Sequence, residues 1–183
     1  HWLDPLLRPA SVALIGASDR ANTPGNTMVR VVAVDGYEGR VFPVNPRRST
    51  VEGLPCFPNL ASLEERVDHV VIGLSDAMVE AALADAIAHG ARAVTIFASC
   101  DMTHEGNPAL LPRLKAMARE ADIPMCGPNS MGFLNPRIGL RITGFPSSVG
   151  LKPGHAALIT QSGSAFSALA YNDQRLKYSL CVS

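Results

Sequence analysis

The sequence predicts an α/β fold, a parallel sheet wound on both faces by helices, and three observations carry that prediction. Short β-branched apolar runs recur along the chain, among them SVALI, DHVVI and ARAVTIF. They lack the polar alternation of half-exposed strands, which is how strands buried on both faces look. Segments with helical apolar spacing lie between them, and most runs end in Gly, Ser or Asn-Pro, where a loop must leave a sheet.

Ser11–Gly16 is the first strand, and a helix over Asn26–Val34 follows, its three valines weakening the helical propensity. Gly39–Pro46 is the second strand, stopped by Asn45-Pro46. The next stretch, VEGLPCFPNLASLEE, holds turns and a short helix, with Ser62 and Glu65 at capping-box spacing. Asp68–Ser75 is the third strand. Asp76 then caps a helix that carries Val79, Leu83 and Ile87 on one stripe and closes at Gly90. Ala91–Ser99 is the fourth strand. Asn107-Pro108 opens the next helix, with Leu110, Leu114, Met117 and Ala121 inside, although Pro112 moves its start toward Leu111. Ile123–Ser130 is a short fifth strand running into a Gly-Pro-Asn loop.

This order argues for a Rossmann-like, doubly wound parallel sheet over residues 1–135. Residues 136–154 then read as a linker with a short strand around Ile138–Ile142. Residues 155–183 restart the rhythm with a strand from His155, a turn at Gly163, a helix over Ser164–Gln174 and a final strand, YSLCVS. That second set looks like the opening of another α/β domain. The strand at the very end and His1 in place of Met are what a fragment would show.

Composition excludes several classes. Of 183 residues, 47% are hydrophobic and 17% charged, with Lys+Arg and Asp+Glu equal at 16 each, so no overall basic field suggests nucleic acid. No apolar run is long enough to span a membrane and no signal-peptide pattern opens the chain, so a cytoplasmic protein is expected. Cys56, Cys100, Cys126 and Cys181 lack CxxC spacing and read as free thiols. There is no P-loop, no HExxH, no zinc-type Cys pairing and no nucleophile elbow around Ser162, so no metal is expected. His69, His89 and His104 fall at element ends and read as surface residues, and His155 as structural.

The loop GASDRANTPGN, Gly16–Asn26, is too long for a simple reversal. At the carboxyl end of a parallel strand, backbone N–H groups and the positive end of a helix dipole favour phosphate. Gly16 removes a side chain where a pyrophosphate would approach, Ser18 and Thr23 offer hydroxyls, Arg20 offers charge, and Gly25 lets the helix begin closely. The Gly-x-Gly-x-x-Gly fingerprint is broken, and the second strand ends in Asn45-Pro46-Arg47-Arg48 rather than in a ribose-binding acid. Two arginines there suit an extra ribose phosphate, as in CoA or NADP.

In order and spacing, SVALIGAS, GYEGRVFPVNP, VEGLPCFPNLASL, VDHVVIGLS, GARAVTIFAS, GPNSMGFLNP and AALITQSGS make the chain similar to the NDP-forming acyl-CoA synthetases. These resemble the succinyl-CoA synthetase alpha subunit, and the same module opens some protein acetyltransferases. The resemblance covers essentially the whole chain. It implies a CoA-binding domain followed by part of a succinyl-CoA-synthetase-like flavodoxin-type domain. The reaction it implies is acid + CoA + ATP giving acyl-CoA + ADP + phosphate, through an acyl phosphate and a phosphohistidine.

On that resemblance Gly16, Ala17, Ser18 and Arg20 match the phosphate loop, and Val44, Asn45, Pro46 and Arg47 the adenosine end. Leu74, Ser75, Phe97, Ala98 and Ser99 match the loops flanking the cofactor, and Gly127, Pro128 and Asn129 the thiol end. Ser162, Gly163 and Ser164 match the helix start that faces the phosphohistidine. The resemblance places that histidine beyond Ser183, so no catalytic residue is expected in this chain. ATP and Mg2+ would enter only through an ATP-grasp region, supplied by C-terminal domains or a beta subunit. A small carboxylic acid is the implied substrate, and a homo-oligomer is compatible. The family often shows Ser-Ala-Gly-Phe after its fourth strand, where this chain has Ala98-Ser99-Cys100-Asp101-Met102. Two other readings stay open here: a CoA- or acyl-CoA-sensing module of an acetyltransferase, and an NADP-binding oxidoreductase domain.

Overall fold

The computed structural model describes residues 1–101, 109–146, 150–173 and 175–183. A single turn of helix, α1 (Asp4–Leu7), precedes β1 (Ser11–Ile15), α2 (Pro24–Val31) and β2 (Arg40–Val44). A small hairpin follows, β3 (Thr50–Val51) with β4 (Leu54–Pro55), and then β5 (His69–Ile72), α3 (Asp76–His89), β6 (Ala93–Ile96), α4 (Leu110–Glu120) and β7 (Met125–Cys126). Five of these strands form one sheet in the order β2-β1-β5-β6-β7. Every pair in it is parallel.

Both faces of that sheet are covered, as strands apolar on both sides require. Ala13, Val70, Ile72, Val94 and Ile96 pack under Val79, Leu83 and Ala86 of α3 and Leu114 of α4. Val12, Leu14 and Val71 point the other way, onto Met28 and Val29 of α2. Leu83 and Leu114 are fully buried, and each contributes about 2 kcal/mol by leaving water.

The register fixes where loops meet. Ile15 pairs with Val44 on one side and with Ile72 on the other, so Gly16, Asn45 and Gly73 leave the sheet side by side. β1 is also where the strand order reverses, the position at which open α/β sheets hold ligands.

The chain then adds β8 (Phe133–Asn135), β9 (Leu140–Ile142), β10 (Ala156–Ile159), α5 (Gly163–Phe166) and β11 (Tyr178–Val182). A second sheet runs β10-β11-β8-β9, its first pair parallel and the other two antiparallel. β9 supplies the strand expected near Ile138–Ile142, within the stretch read as linker. Phe133, Leu140 and Ile142 pack into the same core as α2. A buried ion pair reinforces the junction: Arg141 Nη2 donates to Asp35 Oδ1 at 2.9 Å, its Nε to Oδ2, and the Leu151 amide reaches the same carboxylate at 3.3 Å.

Several local expectations give way. No helix starts at Ser62: the chain makes a 3₁₀ turn over Leu60–Ser62, capped by Asn59, and Glu65 pairs instead with Arg40. α2 begins at Pro24 with Thr23 as its cap, two residues before the expected start. Ser75, not Asp76, precedes α3, and the Asp76 carboxylate accepts from the Cys100 amide at 3.0 Å. Gly90 closes α3 in the left-handed conformation, as expected. Pro112 is tolerated because it lies in the first turn of α4, where backbone N–H groups have no helical partner. The expected helix over Ser164–Gln174 is α5 followed by a π turn at Ser167–Tyr171. Asn107-Pro108, Met102, His104 and Gln174 lie outside the described residues.

His69 is the clearest reversal. It is fully buried, stacked on Phe133 with ring centroids 5.7 Å apart, and its Nε2 meets Thr95 Oγ1 at 2.8 Å. Desolvation lowers its pKa from 6.5 to about 3, so the ring is neutral.

Candidate functional site

A cleft of about 610 Å³ opens at the carboxyl ends of β1, β2 and β5. Gly16, Val44, Asn45, Pro46, Arg47 and Leu74, all expected from sequence, line it. The volume lies within the range typical of small-molecule sites. The turn over Pro58–Leu60 closes one side, and α3 contributes Ala77, Met78, Ala81 and Asp85. The sequence reading does not name these α3 residues. A signal for them exists, since small residues recur at helical spacing beside the buried Val79–Leu83–Ala86 stripe and leave the helix a thin wall. Met78, nearly half exposed, gives that wall an apolar surface.

The opening loop is pulled inward by its carbonyls. Asn45 Nδ2 donates to the Ala17 carbonyl at 2.7 Å, and Asn26 Nδ2 to the Ser18 carbonyl at 3.0 Å. The Gly16 amide donates to Val44, the Ser18 amide to Gly25, and the Arg20 amide to Ser18 Oγ. Ala17 has its side chain in the core, so it takes part through its backbone only. Ser18 and Arg20 sit on the loop beyond the cleft lining.

Gly16 also serves the packing of the strand ends. At φ +89° it adopts a left-handed conformation, and a Cβ would stand 2.5 Å from the Gly73 carbonyl. The missing side chain therefore lets the loops after β1 and β5 touch at the edge of the cleft that Gly16 lines. Gly25 works as expected: a Cβ there would lie 2.2 Å from the Gly16 carbonyl, so its absence brings α2 up to the strand end.

The two arginines after β2 separate. Arg48 Nε turns to Asp19 Oδ2 at 3.8 Å and does not line the cleft. Arg47 lines it, its amide fixed by Asn45 Oδ1 at 2.9 Å, and its guanidinium pairs with no carboxylate among the described residues.

The remaining expected residues form separate groups. Ser75 stands at the N-cap position of α3, next to the cleft-lining Leu74, without a capping side-chain hydrogen bond. Phe97, Ala98 and Ser99 follow β6, and Gly127, Pro128 and Asn129 follow β7; the Asn129 amide donates to the Ala98 carbonyl at 2.7 Å, joining the two loops. Neither loop lines the cleft. Cys100 takes the left-handed backbone, φ +57°, where the resembling family often has glycine, and the Asp76 carboxylate holds its amide there. Burial pushes its thiol up to about 11 and that of Cys181 to about 12, so neither is a ready nucleophile. Ser162 caps α5, accepting from the Ala165 amide at 3.2 Å, and Gly163 lies against Met131, away from the cleft; Ser164 is exposed.

The CoA binding domain family matches residues 10–136. The chain belongs to this CoA-binding domain family. It is 31% identical over 163 residues to acetate–CoA ligase (ADP-forming) II of Archaeoglobus fulgidus, covering 88% of the chain and 24% of that protein. It is 30% identical over 173 residues to the alpha subunit of acetate–CoA ligase (ADP-forming) I of Pyrococcus furiosus, covering 91% and 37%. Its fold matches the Ca. Korarchaeum cryptofilum dinucleotide forming acetyl-coenzyme A synthetase 1, in complex with phosphate and ADP. That match has a TM-score of 0.85 and 28% identity, covering 99% of the chain and 39% of the other. The chain thus spans about a quarter of the Archaeoglobus ligase's length. No helix among the described residues is long and apolar enough to cross a membrane.

Proposed function

We propose that the chain is the CoA-binding portion of an ADP-forming acyl-CoA synthetase acting in the cytoplasm. The complete enzyme would convert a small carboxylic acid, CoA and ATP to acyl-CoA, ADP and phosphate, through an acyl phosphate and a phosphohistidine. Mg2+, ATP and the reactive histidine would come with C-terminal ligase and ATP-grasp domains or a beta subunit. The observation that carries this reading is the cleft at the sheet's reversal point. It holds an arginine with no carboxylate partner among the described residues, in a chain whose residues 10–136 belong to the CoA-binding family.

CoA would supply the thiol that takes the acyl group; this chain's part is to bind and orient it. Met78, Leu60 and Leu74 give an apolar bed for the adenine, and Arg47 a charge for the ribose 3′-phosphate. The loop Gly16–Arg20, its Ala17 and Ser18 carbonyls drawn inward, would meet the diphosphate. The joined loops Phe97–Ser99 and Gly127–Asn129 would lie along the pantetheine toward the thiol. Ser162–Ser164 would face the phosphohistidine from the second sheet. Calorimetric titration with CoA, dephospho-CoA and NADPH tests the reading. CoA binding tightest is the expected result, and NADPH binding without CoA binding overturns it.

A further inference from the structure

Asn26 is a polar residue only 2% exposed, in the first turn of α2. Its Nδ2 donates in two directions, to the Ser18 carbonyl at 3.0 Å and to Glu52 Oε1 at the tip of the β3–β4 hairpin. Its own amide is taken by Thr23 Oγ1 at 3.3 Å. The Ser18 carbonyl shares a peptide unit with the Asp19 N–H. In a planar trans peptide these two groups point in opposite directions. A carbonyl drawn toward a buried side-chain amide therefore turns the Asp19 N–H to the loop's open side.

The preceding peptide is spent internally at both ends, its Ala17 carbonyl on Asn45 and its Ser18 N–H on Gly25. Glu52 adds a second observation. It stands at φ +49°, followed by Gly53 at φ +78°, in a hairpin tip where Asn, Asp or Gly is usual. This conformation places its carboxylate on Asn26, while its amide donates to Asp19 Oδ1 at 3.2 Å. Asp19 Oδ2 in turn sits 3.8 Å from Arg48 Nε. The carboxylates of Glu52 and Asp19 are thus each held by a partner.

We propose that Asn26, oriented by Glu52, is a positioning residue that sets the opening loop to present the Asp19 amide to the diphosphate of CoA. The inference rests on the CoA reading above. It predicts a loss specific to ligands carrying a diphosphate, which a merely structural role would not produce.

The test compares CoA with adenosine 3′-phosphate, which has no diphosphate, by NMR chemical-shift titration of the protein. Asn26→Asp keeps the size of the side chain but cannot donate, and should weaken CoA about tenfold while adenosine 3′-phosphate binds as before. Glu52→Ala, at an exposed hairpin tip, is the variant that folds in any case and should weaken CoA about threefold. Glu52→Gln, which still accepts from Asn26, should recover most of that loss. Equal weakening of both probes, or a Glu52→Ala protein that binds CoA as tightly as the parent, overturns the proposal. A parent protein that binds adenosine 3′-phosphate but gains nothing from the diphosphate also overturns it. A parent that binds neither probe overturns the CoA reading itself.

Discussion

Replacing Arg47 by alanine should separate CoA from dephospho-CoA. Arg47 lines the cleft, is solvent-exposed and has no carboxylate to compete with a ligand phosphate among the described residues. A charge-assisted hydrogen bond is worth about 1.5–3 kcal/mol when sheltered, and exposure brings that down toward ~1 kcal/mol. Arg47→Ala should therefore weaken CoA by about 1–1.5 kcal/mol, roughly five- to tenfold in Kd, and leave dephospho-CoA nearly unchanged. Arg48 is the internal control. It leans on Asp19 at 3.8 Å and stays out of the cleft, so Arg48→Ala should shift either ligand by less than ~0.5 kcal/mol. The assay is calorimetry at fixed, moderate salt, because the effect is screened. If Arg47→Ala weakened both ligands equally, or Arg48→Ala had the larger effect, the assignment of the 3′-phosphate to Arg47 would be refuted.

Gly16→Val should act on stability, costing about 2 kcal/mol or more because it combines a left-handed backbone with a clash on Gly73; a denaturant midpoint equal to the parent's would contradict this. Met78→Ser should weaken CoA and dephospho-CoA alike, by about 1 kcal/mol, if the methionine covers the adenine; selective loss of one ligand would not fit. The folded-state pKa of His69 lies below its unfolded value, so the stability tied to its neutral form is complete above about pH 6.5. It is lost as pH falls toward 3, by at most ~1.4 kcal/mol per unit. The stability gap between the parent and His69→Gln should shrink across that window, and a constant gap down to pH 4 would argue against a buried neutral ring. Asp35→Ala should cost about 3 kcal/mol by taking the carboxylate from a guanidinium whose side chain is 1% exposed, as chemical denaturation would show.

The order of strands and helices is legible because each buried strand writes a continuous apolar run, and because Gly16, Asn45 and Gly90 mark where the runs and helices stop. Elements two or three residues long carry that pattern less dependably: β7 and β9 fall within stretches that read as strands, and others do not. The β3–β4 hairpin, with Glu52 at its tip, and β8 are accordingly hidden until their partners are placed. His69 misleads because its burial comes from Phe133, 64 positions later, and not from its neighbours at a strand end. In the cleft, Gly16, Asn45 and Arg47 can be named from sequence because ligands gather at strand ends, and Leu74 through the family resemblance. For Met78 and Asp85 the small residues of α3 give only a weak signal of a thin wall, and it takes the packing of α3 against β5 and β6 to bring them there. Phe97–Ser99 and Gly127–Asn129 share the same end of the sheet but adjoin one another rather than the cleft.

The family match stops at residue 136, one residue past β8, whereas both neighbours of β8 come later in the chain. Trimming the gene at that apparent boundary would leave Phe133–Asn135 as a ribbon with two raw sides and strip the cover from Phe133 and Leu134, which are wholly enclosed in the intact fold. Such a stub would invite its copies to zip together. A workable expression piece has to carry the chain through β11, so that the closing strand of one sheet seals the flank of the unit before it.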